Sequence, residues 1–284
     1  MNSLLLKSIK DSILVINNFN VSFEIITIID SVETSLSEIE SVNNLLFKEL
    51  EQINCVVKKN KRNIGVAGSR NFAISIANGD FLHIIDQDDL VSTPFYSKII
   101  SLLDSYNFIL VNGEIRYTNK KFNTHKLYYL KPKINIIGII EDDYIRSPGQ
   151  IVFAKNLCKE LTFPEPKVFK GADDRFFWIS LFLNNKSFVK PFYIADPYYI
   201  ANIHDKNYSA DAENLRRSAL ENWLIIQTKL ILNDYNKLIY NDNLRLKFLL
   251  NDPLTYLDKL KGLYLSLKYF IKPNKILRFF FKRI

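Results

Sequence analysis

A short apolar strand that leads directly into three carboxylates is the feature that most constrains the fold of this chain. The run Phe81–Ile85 is followed at once by Asp86, Gln87, Asp88 and Asp89. In an open α/β sheet, ligands bind at the carboxyl ends of the strands. Carboxylates at that edge suit a hard divalent cation that is shared with substrate phosphates. The pattern predicts an α/β nucleotide-binding protein, although an acidic surface turn produces the same short triplet.

The surrounding hydrophobic pattern alternates between strand and helix. Strands separated by helices at this interval predict a parallel, doubly wound half-domain. From about residue 112 the pattern changes to short mixed strands and loops, and after residue 207 it becomes mostly helical. The predicted strands are 23–29, 55–57, 81–85, 108–111, 127–130 and 150–153, and the predicted helices include 4–16, 68–78 and 174–184.

The segment that contains the acidic cluster is more specific than the cluster alone. It combines N-x-G at residues 63–65, S-R-N at 69–71, A-x-G at 77–79, the apolar strand and D-x-D-D. In order and spacing it resembles the nucleotide-binding half of the family 2 glycosyltransferases. The resemblance implies a GT-A fold, in which a Rossmann-like nucleotide-binding half precedes a mixed-sheet acceptor half. We expect this domain to cover residues 1–207 and a helical, basic C-terminal region to cover residues 208–284.

The resemblance also implies roles for the residues of this segment. Asp86 is expected near the donor ribose, and Asp88 is expected to bind Mn²⁺ or Mg²⁺. Asn63, Arg70 and Asn71 are expected to line the pocket of a nucleoside-diphosphate sugar, with a UDP-sugar as the favoured donor. The residues alone also allow simpler roles. Arg70 could be an exposed arginine at a helix start, and Asp89 could be a turn or capping residue.

Two features depart from the family pattern. Asp30 ends the strand 23–29 where the family carries an acidic pair followed by Gly-Ser, and a carboxylate there accepts the uracil ring N–H. Here Ile29-Asp30-Ser31-Val32 contains one acid and no glycine. The family's first strand is also expected to be missing, because too few residues precede Phe23 for a strand and its crossover helix. Either truncation or a weakened nucleotide pocket would account for this start.

A second acidic motif precedes an apolar, aromatic segment. In the resembling family, the second acid of such a pair is the general base, which corresponds to Asp174, with Asp173 beside it. Two acids at a helix start are also typical of plain capping. His204 stands where the family often carries Arg-x-His, and it is expected to reach the metal or diphosphate, although Asn202 replaces the arginine. A solvated loop histidine is the alternative.

Charge and composition narrow the function classes. The chain has a net charge of +8, and residues 252–284 carry eight Lys or Arg against two Asp, 8 − 2 = +6. This concentration in the tail argues against a nucleic-acid surface, which spreads basic groups over the domain. The tail, which interleaves aromatic and basic residues, is interpreted as a peripheral membrane anchor or as a packed helix. The cysteines, Cys55 and Cys158, and the lack of a signal sequence predict a cytoplasmic protein, at most peripheral to the plasma membrane.

These observations predict an inverting glycosyltransferase that moves a sugar to a glycan or lipid-linked acceptor in surface polysaccharide synthesis. A non-catalytic, glycosyltransferase-like binding subunit is the alternative that the missing strand and the single Asp30 favour. A sugar-nucleotide nucleotidyltransferase is disfavoured, because no Gly-rich, basic phosphate loop occurs near the start.

Overall fold

A computed structural model describes residues 3–16, 21–117, 124–165, 168–204, 211–228 and 233–272. The helices are α1 (Ser3–Leu14), α2 (Leu36–Phe47), α3 (Gly65–Ile76), α4 (Phe95–Ile100), α5 (Ile136–Asp142), α6 (Asp173–Asn184), α7 (Ala212–Gln227), α8 (Asn236–Leu249) and α9 (Tyr256–Phe270). The strands are β1 (Phe23–Ile29), β2 (Ile53–Lys59), β3 (Phe81–His83), β4 (Leu90–Val91), β5 (Phe108–Tyr117), β6 (Thr124–Lys126), β7 (Ile151–Ala154) and β8 (Pro191–Ile203).

The described strands form two sheets. β1 and β2 pair in parallel, in register from Phe23 opposite Ile53 to Ile29 opposite Lys59. The larger sheet has the order β3-β7-β5-β8-β4, with β6 added on β5. In it β7 pairs antiparallel with both β3 and β5, and β4 pairs antiparallel with β8. The parallel half-domain predicted from the sequence is therefore only partly correct, since β3 pairs antiparallel with β7 in the larger sheet instead of extending the parallel pair β1 and β2.

Most predicted elements form with shifted ends. The strand predicted at 81–85 ends at His83, and the strand predicted at 127–130 is wrong, because pairing stops at Lys126. The helix predicted from residue 68 begins at Gly65. The described residues before Phe23 form α1, whose buried residues Leu5, Leu6, Ile9 and Ile13 follow helical spacing.

The described chain divides into two compact units. The first comprises Met1–Glu114, Ser147–Glu160 and Lys190–Asn202, and the second comprises Ile115–Arg146, Leu161–Val189 and Ile203–Ile284. The boundary predicted at residue 207 falls outside the described residues and stays a prediction. Each unit has its own buried centre.

The first unit is built around β3, β5 and β7. Phe108 to Val111 of β5 are fully buried, as are Ile151 and Phe153 of β7. A strand that is covered on both faces is apolar without alternation, which explains the continuous apolar run. On α1, Ser12 accepts a hydrogen bond from the backbone N–H of Tyr96 at 3.0 Å, which attaches this helix to α4.

The second unit is centred on α6, which is buried almost all round. A helix that is apolar on every side needs neighbours on every side. Asp242 of α8 joins three of these helices, because its carboxylate accepts hydrogen bonds from Arg175 of α6 at 3.0 Å, Trp223 of α7 at 2.9 Å and Arg245 of α8 at 2.6 Å. Burial raises the pKa of Asp242, but the charges of Arg175 and Arg245 outweigh it, so that the pKa lies below its usual value.

Asp143 follows α5 and lies 3.4 Å from the Arg175 guanidinium, so the cluster also reaches the end of that helix.

None of the described helices of the chain is both long and apolar enough to cross a membrane.

His83, the last residue of β3, is held in a neutral form inside the first unit. Its Nε2 lies 2.9 Å from the carbonyl oxygen of Gly149 and its Nδ1 lies 3.0 Å from the Tyr96 hydroxyl. A carbonyl only accepts, so Nε2 carries the proton and Nδ1 accepts from the phenol. The ring stacks on Phe95, and burial lowers the pKa of His83 to about 4.

We expect the stability that His83 contributes to be present above pH 6.5 and to be lost as the pH falls towards 4. In that window the unfolded chain binds a proton that the folded chain does not bind. The difference in unfolding free energy between the wild type and His83→Gln should shrink by at most about 3 kcal/mol between pH 7 and pH 4. Urea unfolding at several pH values measures this difference. A difference that is constant with pH would contradict the assignment of a neutral, buried His83.

Candidate active site

The acidic motif forms a tight turn between β3 and β4. The backbone N–H of Asp89 donates to the carbonyl oxygen of Asp86 at 3.1 Å, which closes the turn. Asp86 and Asp88 are half-buried, Gln87 is exposed, and Asp89 is only 5% exposed. The four residues therefore separate into partly accessible carboxylates and one buried carboxyl group.

Asp89 attaches the turn to the rest of the first unit. Its carboxyl group accepts hydrogen bonds from the Tyr199 hydroxyl, from the backbone N–H of Asn202 at 3.0 Å and from the Ser147 hydroxyl at 3.3 Å. Burial raises the pKa of Asp89 to about 7, and the bond from Tyr199 opposes this rise. The side-chain amide of Asn202 also donates to the backbone oxygen of Asp88. Two residues of β8 thus fix the conformation of the acidic turn.

These contacts support the turn or capping role that the sequence left open for Asp89. Asp89 is a buried structural residue whose partners lie more than a hundred positions away in the chain, except for Ser147. Sequence reasoning missed Tyr199, Ser147 and Asn202 as supports of the turn. The only signal in the sequence was Asn202, which stands where the family's arginine is expected.

Gly149 is required by the packing of Tyr199. A Cβ atom on Gly149 would lie 2.6 Å from the Tyr199 ring and 3.2 Å from the Ile85 side chain. Ser147 begins this short segment and accepts a hydrogen bond from the Gly149 backbone at 3.3 Å. The segment therefore supports the acidic turn through the Tyr199 ring, which packs on Gly149, and through the Ser147 hydroxyl, which bonds to Asp89.

Arg70, predicted to line the nucleotide pocket, contacts the acidic turn directly. Its guanidinium lies 2.6 Å from a carboxylate oxygen of Asp86. The Arg70 side chain is 10% exposed and that of Asp86 is 37% exposed, so the alternative of a solvated arginine is wrong. Asn71 is the next residue of α3 and is half-buried. The structure thus brings two of the predicted nucleotide-binding residues, Arg70 and Asp86, into one ion pair.

Asp30 caps the N-terminus of α3. Its carboxylate accepts hydrogen bonds from the backbone N–H groups of Ile64 at 2.9 Å and Gly65 at 2.8 Å, and from the Asn60 side chain at 2.8 Å. The Asn63 side chain donates to the Asp30 backbone oxygen at 2.9 Å. Gly65 has φ = +80°, a conformation that favours glycine. The carboxylate expected to recognise uracil is therefore already bonded to three donors of its own chain.

Asp174, which is predicted to be the general base, and its neighbour Asp173 belong to the second unit, as does His204. Asp173 is 7% exposed and Asp174 is half-buried at the start of α6. One oxygen of Asp174 accepts a hydrogen bond from the Arg175 backbone at 2.7 Å, which is a capping contact. His204 follows β8 directly and is half-buried. Their predicted roles as general base, its neighbour and a metal ligand stay predictions.

The residues of the acidic turn fit a cation that is shared with a substrate. Within the described ranges, no group of three His, Cys, Asp or Glu residues has the geometry of a metal site. Mg²⁺ and similar ions are bound by one or two carboxylates together with substrate phosphates, rather than by a complete protein cage. Asp88, with its main chain fixed by Asn202, is suited to supply one such carboxylate.

Comparison with known sequences decides the family. A sequence model of glycosyl transferase family 2 matches residues 5–161, which is more than half of the chain. The chain belongs to glycosyltransferase family 2. An uncharacterized glycosyltransferase of Haemophilus influenzae is 24% identical over 128 residues, which are 42% of this chain and 51% of that protein. An uncharacterized glycosyltransferase of Methanocaldococcus jannaschii is 27% identical over 199 residues, which are 64% of this chain and 62% of that protein.

Comparison with solved structures gives the fold. The S. aureus TarS fragment 1-349 has a TM-score of 0.60 at 19% identity, over 94% of this chain and 77% of that one. The same fragment in complex with UDP-GlcNAc has a TM-score of 0.61 at 18% identity, over 93% and 75% of the two chains. The predicted GT-A fold with a helical C-terminal region is thereby confirmed. Because the chain spans about half to three-fifths of its first sequence relatives, their complete activities do not transfer directly.

We expect Tyr199→Phe to destabilise the protein by about 1–3 kcal/mol, because it leaves the buried Asp89 carboxyl group without its shortest hydrogen bond. Tyr198→Phe is the matched control: this neighbouring hydroxyl bonds to Asp196 at the exposed surface, and its loss should cost less than about 0.5 kcal/mol. Urea unfolding of the three proteins measures both values. Equal losses for the two variants would show that Asp89 does not depend on Tyr199.

Proposed function

We propose that this chain is an inverting, metal-dependent glycosyltransferase. It transfers a sugar from a nucleoside-diphosphate donor, with UDP-sugars favoured, to a hydroxyl of a glycan or lipid-linked acceptor in surface polysaccharide synthesis. The observation that carries the proposal is the acidic turn, in which Asp86 and Asp88 stay accessible while Asp89 and Asn202 fix the backbone. Membership of family 2 supplies the general activity, and this turn supplies a place for the donor.

The chemistry assigns different tasks to the two acidic motifs. Asp174 takes the proton of the acceptor hydroxyl, whose oxygen attacks the anomeric carbon as the bond to the diphosphate breaks. Attack opposite the leaving group inverts the configuration. Asp88 would hold Mn²⁺ or Mg²⁺, which when bound neutralises the departing diphosphate, and His204 is the second residue that we propose as a metal ligand. Asp86 keeps Arg70 beside the donor, where the guanidinium can pair with phosphate or carboxylate.

Names of related proteins support the donor class. TarS has been solved in complex with UDP-GlcNAc and with UDP. A mannosyltransferase of Pyrobaculum calidifontis, which matches this chain with a TM-score of 0.50, has been solved in complex with GDP-Man and Mn²⁺. A minor teichoic acid biosynthesis protein of Bacillus subtilis, GgaB, is 29% identical over 114 residues, which are 31% of this chain and 13% of GgaB. The titles of the solved complexes support a nucleotide-sugar donor, and the name of GgaB supports a role in polymer biosynthesis of the teichoic acid type.

One observation favours a non-catalytic binding subunit as the second candidate. The Asp30 carboxylate accepts three hydrogen bonds from Asn60, Ile64 and Gly65, so that most of its acceptor capacity is used inside the protein. Recognition of a uracil ring by this residue would use the capacity that remains. Calorimetry with uridine, guanosine and other nucleoside diphosphates, with and without Mn²⁺, separates the two candidates. Absence of binding to every nucleotide would favour the subunit.

We expect Asp88→Asn to abolish metal-dependent nucleotide binding and to leave thermal unfolding nearly unchanged, because the Asp88 backbone contact to Asn202 is retained. The matched control is Asp80→Asn, which removes the same charge from an exposed residue at the start of β3. Calorimetry with UDP in Mn²⁺ and in EDTA provides the measurement. Retained Mn²⁺-dependent affinity in Asp88→Asn would remove this residue from the metal site.

We expect Asp174→Asn to keep donor affinity and to lose transfer by on the order of 10²- to 10⁴-fold, because the amide cannot accept the proton. Asp173→Asn at the buried neighbouring position is the matched control. The two rates are compared in a coupled assay of released nucleoside diphosphate, with donor binding measured separately. If Asp173→Asn is inactive and Asp174→Asn is active, the base is the other member of the pair.

A further inference from the structure

Helix α9 exposes its apolar residues and buries its small ones. Gly262 and Ser266 are buried, and a Cβ on Gly262 would lie 2.6 Å from the Phe248 Cβ of α8. Close packing on α8 therefore uses the smallest side chains of the helix. Eight large apolar residues remain between 44% and 76% exposed, and we call them the outer face of α9. They are Tyr256, Leu257, Leu260, Leu263, Tyr264, Leu267, Phe270 and Ile271.

The outer face is one continuous stripe. Its members recur at helical spacing along about 22 Å of helix, and at 100° per residue they occupy an arc of about 140°. Exposed apolar residues that occur singly need no explanation, whereas a contiguous stripe marks an interaction surface. This stripe contrasts with the sequence-based alternative of a tail helix that completes the core, since Leu263, Leu267 and Phe270 are 44–54% exposed.

Charge identifies the chemistry of the partner. On the same helical projection, Lys259 borders one edge of the outer face, and Lys261 and Lys268 border the other. All three lysines are exposed. The one carboxylate of the helix, Asp258, is half-buried and accepts hydrogen bonds from Tyr240 at 3.1 Å and Thr255 at 2.8 Å. An apolar stripe with lysines along both edges suits a surface that is apolar inside and anionic outside.

The fold holds α9 in place before any partner arrives. Thr255 caps its N-terminus through the backbone N–H of Asp258 at 3.2 Å, and Lys272, just after the helix, pairs with Asp142 of α5 at 2.6 Å. The Arg245 guanidinium stacks over Tyr269 at 4.1 Å. A preformed surface does not have to be ordered on binding, which removes one cost of association. The sequence beyond Lys272 adds four further basic residues and no acidic ones.

We propose that the outer face of α9 binds the surface of an anionic lipid membrane, with the helix lying in the interface and its lysines at the headgroups. The inference goes beyond the proposed function, because it does not depend on which donor or acceptor the enzyme uses. If the acceptor is lipid-linked, this surface would bring the enzyme to the place where the acceptor is found.

The test is sedimentation of the full chain with vesicles of phosphatidylcholine alone and with vesicles that also contain phosphatidylglycerol. We expect binding to the anionic vesicles only, and weaker binding as salt rises. Combined Leu257→Ser, Tyr264→Ser and Leu267→Ser should weaken it at least about tenfold, because these side chains would no longer leave water. The matched control is Val32→Ser, Leu45→Ser and Phe188→Ser, three residues that are 70–74% exposed elsewhere in the chain, and it should not change binding.

Three single variants test the charges without altering the apolar stripe. Lys259→Gln, Lys261→Gln and Lys268→Gln should each weaken anionic-vesicle binding by about fivefold. Equal binding to neutral vesicles, no binding to either, or full binding by the serine variant would overturn the proposal. So would a wild-type dimer in sedimentation velocity that the serine variant converts to a monomer, because the face would then join two copies. UDP calorimetry on the same samples reports on the proposed function separately.

Discussion

The proposed site depends on the hydrogen bonds of the buried Asp89 carboxyl group. A carboxyl group that has left water needs hydrogen-bond partners, and Asp89 finds them in Tyr199, Ser147 and the Asn202 backbone. Because Asp89 directly follows the accessible Asp88, these partners also determine where Asp88 stands. The acidic turn is therefore local in sequence, whereas its conformation is set by β8, more than a hundred residues later. Stability and the proposed function are coupled at this point, since loosening β8 would displace the carboxylates to which we assign donor binding.

The acidic turn after an apolar strand could be predicted, because strand, turn and cluster all lie within the segment Phe81–Asp89. The direction in which β3 pairs could not be predicted in this way, because an apolar run has the same composition beside a parallel or an antiparallel neighbour. The antiparallel partner β7 lies some seventy residues away. Asp30 shows the same limit at a single residue. Its position at the end of β1 was predicted, but its bonds to Ile64 and Gly65 depend on how α3 approaches that strand.

The sequence predicted a helical C-terminal region but left open whether its tail packs on the protein or lies on a membrane. Apolar residues at helical spacing usually mark the side that packs on the core, and here they mark the other side. The decisive residues are Gly262 and Ser266, which let α9 approach α8 closely and leave the leucines outside. In this helix the small residues determine which side packs on α8. A sequence reading that weighs only large apolar side chains assigns the wrong face to the interior.

The junction at Asp242 has a consequence for how this protein could be recombined with its relatives. Asp242 pairs there with Arg175 from α6 and Arg245 from α8, Asp143 supplies a second carboxylate to Arg175, and Trp223 of α7 completes the set. Replacing one of these helices by a counterpart that lacks its member of this set would leave an unbalanced charge or an unbonded indole in the interior, and such defects typically cost several kcal/mol. Because Asp143, which also pairs with Arg175, follows α5, the helices α5, α6, α7 and α8 would have to be exchanged together. A viable chimera would have crossover points before Ile136 or after Leu249.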